Sequence, residues 1–383
     1  MHRLAQNVET SLKVAVRYPR TKTAKTYLLD SARLFTFTRT KEVLAVQPFE
    51  NNLPNKQTNK QGYQSIGSFG GENIEYLTSL PDEAYIAPEL PFAVANEPVD
   101  ETDRPSLVAN NNDWEKEFML DREQWTFLNH GAFGAALRCG HIRANQWRDY
   151  LELQPLRFFD RDLLPHIAHS NRVLAKFMKA QPGATAMIPN ATSGLNSVLL
   201  GYAREFKGNV VLFDLAYGSV KKMAQYYSGG KSVLEIPLTE NVLPILSERE
   251  LEESLRKALE KIKRQKGDSA LNNSLLVLDH VTSTTAIQMP IKSLAAIAKE
   301  EGMLVLVDGA HGLLNLDLNM EELHNSGVDF YVTNAHKWMS TVRGAAILSC
   351  ANEGLRESIL RQPAIISHGI DDGYLRYVIL YDC

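Results

Sequence analysis

The stretch "MLVLVDGAH", residues 303–311, runs five apolar residues together and then stops at Asp308, Gly309 and His311. The apolar residues do not alternate with polar ones, so both faces of the segment expect burial. That is how a strand reads in a parallel sheet covered by helices on each side. Five residues rich in Val and Leu suit a strand better than a helix. Similar runs flank it: "GNVVLFD", "VLEIPL", "SLLVLDHV", "VDFYVTNAHK" and "GAAILSC". Between them lie segments with apolar residues at helical spacing, among them "GLNSVLLGYAREF", "SVKKMAQYYSG", "IKSLAAIAKEEG" and the long charged "SERELEESLRKALEKIKRQKG". Ser247 and Glu250 stand three apart, as in a capping box, and Asn319 and Glu322 are placed to cap "NMEELHNSG". Strand and helix alternate from about residue 114, which predicts an α/β fold: a mostly parallel sheet with helices on both faces.

The chain of 383 residues has room for one large domain and an extension, or for two domains. Its net charge of −4 gives no pull toward nucleic acid or an anionic membrane surface. No apolar run reaches the ~20 residues of a membrane span. Cys139, Cys350 and Cys383 are far apart and form no CxxC. That argues against a disulfide framework or a metal site and fits a reducing, cytoplasmic compartment. No GxGxxG and no Walker lysine loop occurs. Residues 1–47 are basic and weakly resemble a transit peptide, which leaves mitochondrial or plastid import open. Residues 48–113 are rich in Asn, Gln, Pro and acid and sustain no apolar period, so they read as a linker or disordered arm. The expected division is an N-terminal extension over 1–113, a large domain over 114–370 and a short tail over 371–383.

In such sheets ligands sit beyond the carboxyl ends of the strands. The polar residues found there are Asp214 and Tyr217, then Asp279, His280, Thr282 and Ser283, then Asp308 and His311, then Asn334, His336 and Lys337. "PNATSGLN" (189–196) adds Asn190, Thr192 and Ser193 on a turn that opens a helix. Each has a plainer reading alone: an N-cap, a turn residue, a core histidine, a surface lysine. Together they favour one chemistry. A helix N-terminus with hydroxyls, Thr192 and Ser193, suits a phosphate. Tyr217 offers a stacking face for a heteroaromatic ring. A buried Asp308 would keep a pyridine nitrogen protonated. Lys337 supplies an amine that can form a Schiff base with an aldehyde. The last two are 337 − 308 = 29 residues apart, about one strand–helix–strand unit. The set describes a pocket for pyridoxal 5′-phosphate.

"FLNHGAFGA" (127–135), "LRFFDRDLL" (156–164), "NATSGLNSVL", "DLAYGSV", "LDHVTSTTAIQMPIKSLAAIAKEEG", "VDGAHG" and "NAHKWM" together resemble the class V aminotransferase family of pyridoxal-phosphate enzymes. They look most like its isopenicillin N epimerase-like and cysteine desulfhydrase or C–S lyase members, which are related to the cysteine desulfurases. The resemblance covers about residues 120–370. It implies a fold type I large domain in which Lys337 carries the cofactor, Asp308 pairs with the pyridine nitrogen and Tyr217 stacks on the ring. His311 and Thr282 would lie near the ring hydroxyl. Thr192, Ser193, Asn334 and His336 would bind the phosphate, and Asn129 and His130 would line the substrate side. Lys337, Asp308 and His311 are the expected catalytic residues, and Trp338 is expected to pack behind the lysine. An amino-acid substrate and a homodimer are implied, with no nucleic-acid or membrane partner.

Two departures from the family pattern stand out. No cysteine occupies the loop where cysteine desulfurases carry their persulfide. After "IISHG" the chain ends in "IDDGYLRYVILYDC", where relatives continue into a small domain that supplies the arginine for the substrate carboxylate. The expectation is a lyase or epimerase that removes an α-proton, weakened by the missing small domain. A transaminase, or a truncated member that only binds the cofactor, are the alternative readings.

Overall fold

The structure is a computed structural model, and the residues described are 74–92, 117–206, 208–228, 233–238 and 247–360. The basic segment 1–47 and the tail 371–383 lie outside the described residues. Seven strands form one sheet: β1 (Thr185–Ile188), β2 (Val210–Phe213), β3 (Val233–Ile236), β4 (Leu275–Asp279), β5 (Leu304–Asp308), β6 (Phe330–Asn334) and β7 (Ala346–Ser349). Their order is β1-β7-β6-β5-β4-β2-β3. The pairs β2–β3, β2–β4, β4–β5 and β5–β6 are parallel, and only β7 is reversed, antiparallel to β1 and β6.

Every residue of β2, β4, β6 and β7 is buried, as unbroken apolar runs require. Successive side chains divide between two cores. Leu276, Leu278, Val305 and Val307 face one; Leu275, Val277 and Leu306 face the other. The first core is closed by Leu251, Leu255 and Leu259 of helix Glu248–Lys266 and by Leu294 and Ala298 of helix Ile291–Glu300. The second is closed by Ala168 of helix Leu163–Phe177, Leu195 and Val198 of helix Ala191–Glu205, and Val220 and Ala224 of helix Gly218–Tyr227. In chain order the regular helices are α1 (Ile74–Ser79), α2 (Arg138–Leu153), α3 (Leu163–Phe177), α4 (Ala191–Glu205), α5 (Gly218–Tyr227), α6 (Glu248–Lys266), α7 (Ile291–Glu300), α8 (Met320–Asn325) and α9 (Glu353–Ser358). The helices therefore lie on both faces, in agreement with the α/β reading. The capping box at Ser247 and Glu250 is formed, and the Asn319 side chain accepts the Glu322 N–H.

The boundary expected at residue 113 is corrected for one stretch. Residues 74–92 are built onto the large domain. The buried guanidinium of Arg172, on α3, donates to the carbonyls of Leu77 (3.1 Å), Thr78 (3.3 Å) and Leu80 (2.7 Å) and to the Asp82 carboxylate (2.6 Å). It also lies 4.2 Å from the centre of the Tyr85 ring. Phe92 packs edge-on against Trp147 and Tyr150 of α2. These carbonyls end α1, where a helix has no partners of its own, and one side chain about ninety residues away satisfies them. Composition alone misses this because the order comes from α3 and not from a core within the arm.

Candidate active site

The parallel strands bring their carboxyl ends to one rim. Asp279 and Asp308 end adjacent strands and face each other in register. Asn334 ends β6, and Lys337 follows three residues later. Both aspartates are buried. Burial pushes the Asp279 carboxyl up to about 8, with the charge of Asp308 adding to the effect. Burial raises Asp308 too, while the Ala310 N–H at 3.0 Å and the Lys337 charge act the other way. Two carboxylates cannot both ionise cheaply at this spacing, so the rim calls for a cation beside Asp308.

Lys337 is half-buried, and desolvation lowers its amine from the ordinary lysine value. Its Nζ lies 3.3 Å from His311 Nε2, and the Trp338 indole N–H donates to His311 Nδ1 at 3.3 Å. Burial, with any charge on the Lys337 amine adding to it, lowers His311 to about 4, so the ring is neutral near pH 7. Trp338 does not simply back the lysine, as its place in the sequence suggests; it bonds to the histidine that contacts the lysine.

Asn129 caps the single helical turn His130–Phe133 through the Ala132 N–H. That turn packs on the lysine loop. A Cβ on Gly131 would meet the His311 ring at 3.3 Å, the His130 ring is stacked 6.4 Å from Trp338, and a Cβ on Gly134 would overlap the His336 carbonyl. Gly134 also has φ 70°, so it meets both the space and the backbone requirement. Asn129 and His130 are thus on the lysine side of the rim.

At the start of α4, Asn190 is the N-cap and accepts the Ser193 N–H at 2.8 Å. Asn334 accepts the Ala191 N–H at 2.9 Å. The strand end that leads to Lys337 is therefore tied to the helix that opens with Thr192 and Ser193. Asn334 acts on that helix; its carbonyl oxygen is already engaged. Ser193 donates its hydroxyl back to Asn190 at 3.1 Å. Thr192 is exposed, and its N–H, at the second helical position, has no intrahelical partner. His336 places Nδ1 3.0 Å from the Ala345 carbonyl, so that nitrogen carries the proton and Nε2 is left as a lone pair.

Tyr217 is the N-cap of α5, is 44% exposed, and is held by its backbone to the Asp279 carboxylate. Thr282 is buried three residues beyond the end of β4. Its hydroxyl accepts the Ile287 N–H at 2.8 Å and pairs with Thr285 at 2.7 Å, so it is occupied in a local turn. The loop after β5 rests on Tyr331, whose hydroxyl is 2.8 Å from His280 Nδ1. A Cβ on Gly309 or Gly312 would overlap the Tyr331 ring or its hydroxyl. Sequence reasoning named Asp279 and His280 at a strand end but gave them no role. The pairing of two strand-final aspartates was visible in "LLVLD" and "LVLVD"; the position of Tyr331 carried no sequence signal.

Comparison with known proteins gives this rim its family. The family model "Aminotransferase class-V" matches residues 166–367, which include the strand ends just described. The chain belongs to the class-V aminotransferase family. It is 33% identical over 258 residues to a protein from Arabidopsis thaliana named "Probable L-cysteine desulfhydrase, chloroplastic", covering 64% of this chain and 52% of that one. It is 26% identical over 234 residues to an isopenicillin N epimerase from Streptomyces clavuligerus, covering 60% and 54%. A solved structure of a cysteine desulfurase from Thermococcus onnurineus NA1 superposes with a TM-score of 0.52 at 19% identity, over 67% of this chain and 60% of that one. The chain spans about half the length of these curated relatives. Pyridoxal 5′-phosphate is the cofactor of this family, and the residues present fit it. A buried carboxylate and a lysine amine lowered by desolvation feel each other's charge, an exposed tyrosine is tied to the neighbouring strand end, and a helix N-terminus is tied to the strand end that leads to the lysine.

Proposed function

We propose that this chain carries the cofactor site of a pyridoxal-phosphate enzyme that removes the α-proton of an amino acid and most readily expels a β-sulfur group, as a C–S lyase acting on cysteine or a conjugate of it. The observation that carries this reading is the pair of Lys337, with its lowered amine, and Asp308, buried at the end of β5 and within reach of its charge. The name of the Arabidopsis relative supports the choice of sulfur substrate. When bound, pyridoxal phosphate supplies an electron sink for the pair left at Cα. Asp308 would hold the ring nitrogen's proton, and Tyr217 would cover one face of the ring. Thr192 and the start of α4 receive the phosphate. The Lys337 amine would accept the Cα proton, and the sulfur group would leave as a thiolate with the electrons of the broken Cβ–S bond while the Cα pair forms the Cα–Cβ double bond. Asn129 and His130 border the substrate on the lysine side.

Epimerisation begins with the same proton transfer and ends with a proton returned to the opposite face; the Streptomyces relative supports it as the second reading. A homodimer belongs to the proposal as well. Trp125 (71% exposed), Leu128 (88%) and Phe133 (71%) flank the His130 turn, an apolar surface that a second copy would cover. Among the described residues no helix is long and apolar enough to cross a membrane. The test is reconstitution of the purified protein with pyridoxal phosphate. Visible absorption should appear, borohydride should fix the cofactor on the Lys337 peptide, and cysteine should yield pyruvate, sulfide and ammonia. Label recovered on another lysine would overturn the site. Racemised cysteine without sulfide would replace lyase by epimerase.

A further inference from the structure

Three polar groups stand in a line at the rim: the Trp338 indole N–H, the His311 ring and the Lys337 amine. An indole N–H can only donate, so His311 Nδ1 must offer a lone pair. A cationic ring has no lone pair at either nitrogen and fails. A neutral ring protonated at Nδ1 fails for the same reason. What remains is a neutral ring with its proton on Nε2. That proton points at Lys337 Nζ, 3.3 Å away, so the amine must in turn accept. An ammonium group has no lone pair and cannot do so.

We propose that Trp338 is a positioning residue that fixes His311 as the Nε2–H tautomer and thereby holds the Lys337 amine in its neutral, lone-pair-bearing form. This rests on the reading of Lys337 as the cofactor lysine and assigns the control of its nucleophilicity. The packing supports it. The His130 ring is stacked 6.4 Å from the indole, and a Cβ on Gly131 would meet the His311 ring at 3.3 Å and the Trp338 ring at 3.4 Å, so the glycine leaves the two rings room to meet. The charged and titratable groups around the amine are Asp308, whose carboxylate favours the ammonium, His311, and His336, with Arg343 beyond it. Desolvation acts in the same direction as the donated Nε2–H, and the Asp308 charge acts against both.

The test uses the cofactor-free protein, so it does not depend on turnover. With 15N-labelled imidazoles and His311→Gln to assign the signal, His311 should show a protonated Nε2 and a bare Nδ1 near neutral pH. Replacing Trp338 by 3-benzothienylalanine keeps the bicyclic shape and removes only the N–H. That change should turn the His311 signal into a mixture of tautomers. It should also raise the pH midpoint for acylation of Lys337, followed by mass spectrometry of its peptide, by about one unit, a roughly tenfold loss of neutral amine at fixed pH. A role in packing alone would leave both readouts unchanged, and that result would overturn the proposal. So would a wild-type His311 protonated at Nδ1, a measurement that needs no variant to fold. Failure of pyridoxal phosphate to attach to Lys337, with the tautomer as expected, would instead sink the cofactor reading and leave this one standing.

Discussion

Asp308 and Lys337 were legible in the sequence because Asp308 ends one apolar run and Lys337 comes three residues after the end of another. The chemistry of the two residues, a carboxylate and an amine at one edge of a sheet, is independent of rotamer. The link between Trp338 and His311 was not legible, since a tautomer is set by a contact that only folding creates. Asp279 was visible but unassigned, and the register that sets it against Asp308 gives it meaning. The central test of the rim is Asp308→Asn, which keeps the shape and removes the charge. Cofactor should still attach to Lys337, while turnover should fall by about two orders of magnitude or more. Absorption spectra with a sulfide assay check both halves, and an undiminished rate would reduce Asp308 to a turn residue. Asp279→Asn should act differently. It weakens the hold on the backbone of Tyr217, so the expected loss is in cofactor affinity, read by titration, with a smaller change in the rate of the loaded protein.

Helices and strands with clear apolar periods were found from the sequence, and their caps at Ser247 and Asn319 were found with them. The direction of β7 was not, because an apolar run reads the same both ways. Nor was the docking of α1, because its partner is one arginine on α3. Replacing Arg172 by Met keeps much of the volume but leaves the carbonyls of Leu77 and Leu80 without their donor. Lost bonds of this kind cost about 1–3 kcal/mol each where the group stays buried. Hydrogen exchange should show faster exchange across residues 74–92, with the central strands β4 to β6 still protected; unchanged protection of the arm would mean that the aromatic contacts suffice. The loop between Asp308 and His311 offers a sharper test of packing. Gly312→Ala drives a methyl group into the Tyr331 hydroxyl, an overpacking that costs about 1–3 kcal/mol. Tyr331→Phe removes that oxygen and leaves His280 Nδ1 without its partner. The double variant should therefore be more stable than the sum of the single losses predicts. Denaturant unfolding of the four proteins measures this coupling, and simple additivity would show that the loop moves aside without the tyrosine.

The class of fold follows from the alternation of elements along the chain. How the folded protein responds to pH follows from which polar groups the sheet has buried. His280 and His311 are both lowered to about 4 by burial, against about 6.5 when unfolded. Between those values the unfolded chain takes up protons that the folded one refuses, so stability falls as pH drops through that window. His166, His324 and His336 are lowered too and add to the same limb. Asp279 has the opposite sign. Its carboxyl is raised to about 8, so the folded state keeps a proton that the unfolded state has already lost, and stability falls as pH rises from the ordinary carboxylate value toward 8. Asp308 is shifted in the same direction. The two effects oppose each other between about 4 and 6.5. From about 6.5 to 8 the histidines no longer titrate, while Lys337, lowered from 10.5, adds stability as pH rises and offsets part of the carboxylate loss. Asp279 by itself should cost the cofactor-free protein about 2 kcal/mol over that interval, one group shifted across about 1.5 units. Denaturant unfolding at a series of pH values would show the decline, and Asp279→Asn should flatten it. Pyridoxal phosphate should flatten it as well, because a pyridinium beside Asp308 relieves the repulsion between the two carboxylates. The same pH dependence in wild type and Asp279→Asn without cofactor would mean that the aspartates are solvated at the rim, and with that the need for a cation beside Asp308 would disappear.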